Sequence, residues 1–388
     1  MKIRRNIILF KLNSLFGGLW PLSALAVVYF QQITDSWALA LGVYSIMGIT
    51  QSIAEIPTGI ISDRIGRQKT MITSAALFFI AFIIIAVAGN LNRGSLLILG
   101  AIFLGLSYAF SSGTDDAFIY ETVQELRKED KYDIIYSRMK AFSQIGHATG
   151  ALIAAVVTYF YSLNILAWLS AVCGLIQTII CFWFIEPKNH TREDVTSWKH
   201  FIVALKEFLK NKKLQYMGMI QIFHRGIDFT SHRMESAYFN LLIPTWAVNI
   251  IRVIKQFFGT ISFSVAPYFR KFGFYRMLVT SSISIFFIKT TGLILNNFVS
   301  PFVYSGVNLF YGTLTTAEST LLQKELSQKQ RATMGSIVSL LGGIISAVFF
   351  YLIGLIADIS SIYFAMILLV FCGLLISGGH YLLLKRYK

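Results

Sequence analysis

Apolar residues fill this chain in long runs, most of them at or above the roughly 20 residues that carry an α-helix across a bilayer, and short polar stretches separate them. Twelve runs can be placed, over residues 6–30, 36–62, 70–90, 95–122, 137–161, 164–185, 214–242, 246–268, 276–296, 299–323, 332–357 and 361–384. The pattern predicts an all-α, polytopic membrane protein.

The polar connections alternate in character. One set holds Lys2, Arg4 and Arg5; Arg64, Arg67 and Lys69; Arg127, Lys128, Lys131, Arg138 and Lys140; and the basic residues between Lys188 and Lys213. The same set continues with Arg270, Lys271 and Arg276, then Lys324, Lys329 and Arg331, and finally Lys385, Arg386 and Lys388. The other connections, near Thr34, Asn92, Tyr161, Leu242, Asn297 and Ser360, carry Arg93 alone. Basic loops stay in the cytoplasm, so the alternation predicts an even number of spans with both termini cytoplasmic.

Composition fits this picture. Of 388 residues 55% are hydrophobic and 14% charged, where a soluble domain carries about 25% charged residues. The net charge of +15 is then a matter of orientation in the membrane, not of nucleic acid. Cys173, Cys181 and Cys372 all lie inside apolar runs, without disulfide or metal spacing. The basic start, Met1 to Arg5, leads into a run long enough to span and without a cleavage site, so it reads as a first helix and not a removed signal peptide.

One polar interruption is long. Residues 187–213 separate an N-terminal six-helix half, 1–186, from a C-terminal one, 214–388. Within it, Phe201, Leu205, Phe208 and Leu209 share a helical face, which fits either a helix on the inner membrane surface or an ordinary solvated linker. The halves also echo each other: Gly59–Lys69 and Ala266–Arg276 each place a glycine, Gly66 or Gly273, among basic residues in a short turn. Parallel six-helix repeats are a transporter architecture, with the substrate site between the halves.

The first of these loops, Gly59-Ile60-Ile61-Ser62-Asp63-Arg64-Ile65-Gly66-Arg67-Gln68-Lys69, resembles the signature loop of the major facilitator superfamily, bacterial twelve-helix type. That pattern is a glycine, three variable residues, Asp, a base, any residue, Gly, then bases. Gly59, Asp63, Arg64, Gly66 and Arg67 match, with Gln68 where a base is usual. The resemblance in topology covers the whole chain and implies two six-helix bundles that work as a monomer. It implies that the loop is a cytoplasmic gate, latching the halves and releasing them during the cycle; the plainer reading is that its charges only stop the hairpin slipping inward. Gly66 permits a positive-φ turn, Gly59 permits close helix packing, and Asp63 can accept hydrogen bonds from Arg67 or a helix N-terminus. The family's antiporter pattern in the fifth span is kept at Gly146 and Gly150, but Ala151 replaces its proline and Ala154-Ala155 its later glycines. The base common in the fourth span is absent from Leu99–Gly113, and the first span lacks an acid. The resemblance therefore reaches the superfamily and stops short of the transport mode.

Ionisable residues inside spans cost about 2.5–3.5 kcal/mol each on insertion scales, and mark cavities or internal pairs. The seventh span holds His224, Arg225, Asp228, His232, Arg233 and Glu235, with Arg225–Asp228 and His232–Glu235 at pairing distance along the helix. The eighth adds Asn249, Arg252, Lys255, Gln256 and Gly259 as a stripe, and the tenth Asn308, Tyr311, Thr315 and Glu318. The fourth carries Tyr108, Ser111 and Asp115 on one face with Asp116 beside it, and the second holds Glu55 ahead of Pro57.

Two readings stay open for these charges. In one they line a cavity: Arg225, Arg252 and Lys255, with Tyr108, Ser111, Asn308 and Tyr311, bind an anionic or zwitterionic solute, while Glu55, Asp115, Asp116, Asp228, Glu235 and Glu318 carry protons. In the other they are internal salt bridges. Lys289 and His147 fit the internal role better, and Arg331-Ala332-Thr333 reads as an anchor, or a partner for Asp63 or Glu325. No nucleotide-binding loop, metal-ligand spacing or nucleophile–base set is present, so neither an enzyme nor a cofactor is expected, and the expected energy source for transport is an ion gradient. The leading function is proton-coupled export of a small polar solute, such as a carboxylate metabolite or siderophore, across a bacterial inner membrane. The alternatives are a proton-coupled importer of an organic anion or nutrient and, from another class, a lipid flippase or a non-transporting scaffold.

Overall fold

A computed structural model describes residues 2–112, 114–128, 132–187, 212–324 and 328–387, and within them nearly every residue is helical. The helices are α1 Asn6–Gly18, α2 Ala26–Thr34, α3 Trp37–Ile65, α4 Arg67–Leu91, α5 Gly94–Ser111, α6 Thr114–Glu125, α7 Tyr132–Phe160 and α8 Asn164–Phe182. They continue with α9 Lys212–Leu242, α10 Thr245–Phe269, α11 Phe274–Leu295, α12 Ser300–Ser305, α13 Asn308–Lys324, α14 Gln328–Ile359 and α15 Ile362–Tyr387. The amphipathic segment expected around Phe201–Leu209 lies outside the described residues.

Among the described residues, eight segments are long and apolar enough to cross a membrane: Trp37–Glu55, Arg67–Leu91, Gly94–Glu125, Arg138–Phe160, Asn164–Phe182, Phe274–Leu295, Leu341–Ile359 and Ile362–Arg386. The other expected spans are helical as well, but broken or polar. The first divides into α1 and α2 around a 3-10 turn, Pro21–Ala24, where proline lacks the N–H that a continuous helix would use. The tenth divides into α12 and α13 around Gly306. α9 and α10 run unbroken, and it is their charged side chains that keep them below the apolarity of their neighbours.

The chain forms two compact units, residues 1–35 with 46–195, and residues 36–45 with 196–388. In the first, α4 packs on α5 and α8, and α1 on α7 and α8. Its core holds Leu9, Met71, Ile119, Ile180 and Phe118, with the Phe10 ring 5.0 Å from Phe118 and 4.8 Å from Phe184. α1 and α7 cross with their backbones in contact. A Cβ on Gly18 would stand 2.3 Å from the Ser143 carbonyl oxygen, and one on Gly146 2.2 Å from that of Leu15, the close approach that small residues permit between membrane helices.

In the second unit α9 packs on α14 and α15, α10 on α13, and α11 on α13 and α15. Met217, Ile222, Met277, Leu278, Leu314, Leu321 and Leu383 form its core. The opening residues of α3 belong here. Ser45 Oγ donates to the Ala347 carbonyl at 2.7 Å, the Tyr44 ring lies 5.7 Å from Phe350, and Gly354 backs directly onto Ala38.

The echo between the two glycine turns is present in the backbone. Gly66 has φ +95° and opens α4, and Gly273 has φ +86° and opens α11. Both conformations lie where an L-residue with a Cβ is strained.

Candidate functional site

At the turn between α3 and α4, the Arg67 guanidinium donates from Nε to Glu121 Oε1 at 3.1 Å and from Nη1 to Ser62 Oγ at 3.0 Å. Its Nη2 also stands 3.0 Å from Glu121. Ser62 in turn lies 3.2 Å from the Thr114 hydroxyl at the start of α6. Glu186 accepts from the backbone N–H groups of Arg67 and Gln68. Neither Glu121 nor Glu186 stood out in the sequence. The available signal was an acid near the basic end of an apolar span, and another at the start of the polar interruption. Arg64 is exposed. A Cβ on Gly59 would meet nothing within 4 Å among the described residues, whereas close helix packing is present at Gly18 and Gly146. The side chain of Asp63, and those of Glu325 and Arg331, lie outside the described residues.

In the second unit one carboxylate draws the side chains of Lys255, His232 and Arg252. Glu235 bonds Lys255 Nζ, and His232 Nδ1 and Arg252 Nη1 stand 3.1 and 3.9 Å from the same oxygen. Glu235 and Lys255 are buried, their side chains 5% and 4% exposed, whereas Arg252 is 24% exposed. Lys255 is thus neutralised in place, and Arg252 is the more accessible cation of the cluster. Asn308 Nδ2 donates to the Lys255 carbonyl at 2.9 Å, tying α13 to α10. Arg233 sits over the Tyr44 ring, 4.4 Å from its centre, a cation–π contact.

The charges expected to pair as Arg225–Asp228 take different places. Arg225 is exposed, while Asp228 lines a cavity of about 40 Å³ with His224, Ser282, Lys289, Tyr311 and Ser377. Lys289 donates to Ser231 Oγ at 3.0 Å, an internal link from α11 to α9. Glu318 is held by His224 Nδ1 at 2.7 Å and has His380 Nε2 at 3.2 Å. His380 escaped the sequence reading, although it is the one histidine in the last apolar run.

The first unit presents acids more separately. Glu55 Oε1 accepts from Ser112 Oγ at 2.6 Å, and Ser111 Oγ turns back onto the Tyr108 carbonyl at 3.1 Å. Asp116 stands 3.9 Å from Lys140, an exposed pair that contributes little to stability. Asp115 Oδ1 is buried with no hydrogen-bond partner among the described residues. No group of metal-ligating side chains is assembled among the described residues.

The chain is 28% identical over 233 residues to an uncharacterized transporter of Buchnera aphidicola subsp. Acyrthosiphon pisum, covering 57% of this chain and 54% of the relative. It is 27% identical over 159 residues to the inner membrane transport protein YajR of Escherichia coli, covering 39% of this chain and 31% of that protein. The matches thus span about half or less of these relatives' length. In fold it is similar to the nucleoside transporter NupG, with TM-score 0.80, 14% identity and 100% of each chain covered. It is likewise similar to a D-xylose–proton symporter, with TM-score 0.76, 13% identity and 98% of each chain covered. The sequence pattern of the Major Facilitator Superfamily matches residues 12–386, nearly the whole of the chain. The protein belongs to the Major Facilitator Superfamily.

Proposed function

We propose that the protein is a secondary active transporter that moves a small polar solute, anionic or zwitterionic, by alternating access and in exchange for protons. Export across a bacterial inner membrane is the direction we favour, with both termini cytoplasmic. The observation that carries the solute class is the charge balance around Glu235. One buried carboxylate faces Lys255 and Arg252, so these three groups sum to one positive charge. A buried excess charge calls for a partner, and an arginine fork can grip a carboxylate or phosphate with two parallel hydrogen bonds. Of the expected ligands, Arg252, with Arg225, Asn308 and Tyr311, serves this role better than Lys255. Glu55, Asp115, Asp116, Asp228 and Glu318 are the candidate proton carriers.

Thermal stabilisation of the detergent-purified protein by a panel of anionic, zwitterionic and cationic metabolites tests this. A ligand at 100 times its dissociation constant adds about 2.7 kcal/mol to the folded state. Stabilisation by carboxylates that vanishes in Arg252→Gln is the expected result. Stabilisation by lipophilic cations alone overturns the solute class and points to efflux of a different kind.

A further inference from the structure

Glu318 lies inside the second unit, between α9 and α15, with two imidazoles on one oxygen: His224 Nδ1 at 2.7 Å and His380 Nε2 at 3.2 Å. His380 is 1% exposed and the Glu318 side chain 9%. Both ring nitrogens of His380 are buried without a hydrogen bond of ordinary geometry among the described residues, Nε2 although it stands 3.2 Å from Glu318 Oε1, and Gln221 Oε1 is likewise without a partner. A neutral imidazole carries its proton on one nitrogen only, and both nitrogens donate when it is charged. With both histidines neutral and Glu318 ionised the triad carries one negative charge; one further proton makes it neutral. It therefore has two forms that differ by a single proton.

Water-sized space adjoins it on two sides. Glu318, His380 and Gln221 line a cavity of about 20 Å³, and His224 shares the cavity of about 40 Å³ that holds Asp228, Lys289 and Tyr311. A water needs about 10–15 Å³ and polar partners, and both spaces meet that size. The other titratable groups facing the triad are Asp228 on α9, Lys289 on α11, and Tyr311 on α13. The described side chains of α14 add none beside it, and α15 supplies His380 alone.

Resting on the reading of the chain as a proton-coupled transporter, we propose that His224, Glu318 and His380 form its proton-carrying site, reached through the interior of the second unit. Glu318 is the acceptor, and the histidines position and relay. Neutral His380, protonated at Nε2, takes a proton at Nδ1 from water in the smaller cavity. It then passes its Nε2 proton to Glu318 Oε1, which leaves a carboxylic acid and a neutral Nδ1–H imidazole. For release, His224 as its Nε2–H tautomer accepts the Glu318 proton at Nδ1 and gives up its Nε2 proton to water in the cavity of Asp228 and Lys289, which leaves Glu318 ionised and His224 as the Nδ1–H tautomer that donates to it. Glu318 is an expected proton carrier, whereas His380, the entry residue, sits in an otherwise apolar stretch of the last span.

Infrared difference spectra of the purified full-length protein, with the proton itself as probe, test the site. Lowering the pH from about 8 to about 5, the range in which histidine-linked groups titrate, should raise a protonated-carboxyl band in the wild type. Glu318→Gln should abolish that band, and His380→Gln should move its midpoint by about one pH unit or more, a tenfold change in proton affinity. If His380→Gln does not yield folded protein, Gln221→Leu, which removes a polar wall of the smaller cavity, should move the midpoint instead. A band unchanged in Glu318→Gln, or a midpoint unmoved by substitution at His380 and Gln221, overturns the proposal. Proton-driven flux in vesicles separates this from the transport reading. A band that depends on Glu318 and His380, in a protein whose solute flux ignores an imposed pH gradient, overturns proton coupling while the triad stands as a titrating group.

Discussion

Glu186 accepts a hydrogen bond from the backbone N–H of Arg67 at 2.7 Å, and a second from Gln68 at 2.6 Å. The first turn of a helix leaves its N–H groups without internal partners. Gly66, at the N-cap of α4, has no side chain to offer them. The carboxylate that does so arrives from beyond the end of α8, at the favourable end of the helix dipole. The signature-loop turn is therefore held from a distance, by Glu186 on its backbone and by Glu121 on its arginine.

Removal of that cap should loosen the turn. Glu186→Ala is expected to lower stability by about 1–2 kcal/mol, seen as a lower unfolding temperature in detergent, with Glu186→Gln falling between the two. Gly66→Ala should be at least as harmful, since its Cβ would stand 2.8 Å from Glu186 Oε1 at a φ of +95°. A Glu186→Ala protein as stable as the wild type would show that water serves these N–H groups equally well.

The Glu235–Lys255 pair makes a second, larger prediction. Breaking a buried ion pair from one side leaves a bare charge, at about 3–5 kcal/mol, whereas replacing both partners by apolar residues is often neutral or stabilising. Lys255→Met alone should therefore destabilise strongly, although His232 and Arg252 remain near the carboxylate. Glu235→Leu combined with Lys255→Met should recover most of the loss. Additive effects in this double-mutant cycle, measured by thermal unfolding, would mean that the two residues do not depend on each other.

The helix crossings make a third. Gly146 meets the Leu15 carbonyl with no space for a Cβ, while the nearest atom to a Cβ on Gly150 is Trp20 N at 3.3 Å. Overpacking a tight contact costs about 1–3 kcal/mol, occasionally more. Gly146→Val should therefore sharply reduce the yield of folded protein, and Gly150→Ala should be mild. Gly59→Ala should be neutral or gain about 0.5–1 kcal/mol, the helical advantage of alanine over glycine, because open space surrounds that position. A large stability loss in Gly59→Ala would contradict the packing seen here.

What the sequence shows of this molecule follows from how local each signal is. α4, α8, α11 and α15 are long and apolar enough to cross a membrane, and the glycine turns at Gly66 and Gly273 declare themselves by their neighbours. The pair His232–Glu235 was visible because both residues share one helix face. Glu121 with Arg67, Ser112 with Glu55, and His380 with Glu318 were not. Each joins helices far apart in the chain, and no periodicity along one helix reports which face of another will meet it. For the same reason Arg225 and Asp228, matched in spacing, take separate environments once α9 packs against α14 and α15.

The start of α3 offers the last test. Asp358, at the end of α14, accepts hydrogen bonds from Ser36 Oγ at 2.6 Å, Trp37 N at 2.6 Å and Ala38 N at 3.0 Å, and Ser36 Oγ itself accepts from Leu39 N at 3.2 Å. Two side chains thus share the capping of one helix start, one local and one brought from the far end of the unit. Asp358→Ala removes an anionic acceptor at a helix N-terminus and should lower stability by about 1–2 kcal/mol. Asp358→Asn keeps an acceptor and loses the charge, so it should lose less. Ser36→Ala should lose about 1 kcal/mol. Because the hydroxyl and the carboxylate bond each other, the double variant should fall short of the sum of the two, with a coupling of about 0.5 kcal/mol or more. Unfolding temperatures of the four proteins, taken in one detergent and at two salt concentrations, decide it. Additive losses would mean that Ser36 and Asp358 cap the helix independently, and a loss for Asp358→Ala that disappears at high salt would mean that the carboxylate acts only as a distant, screened charge.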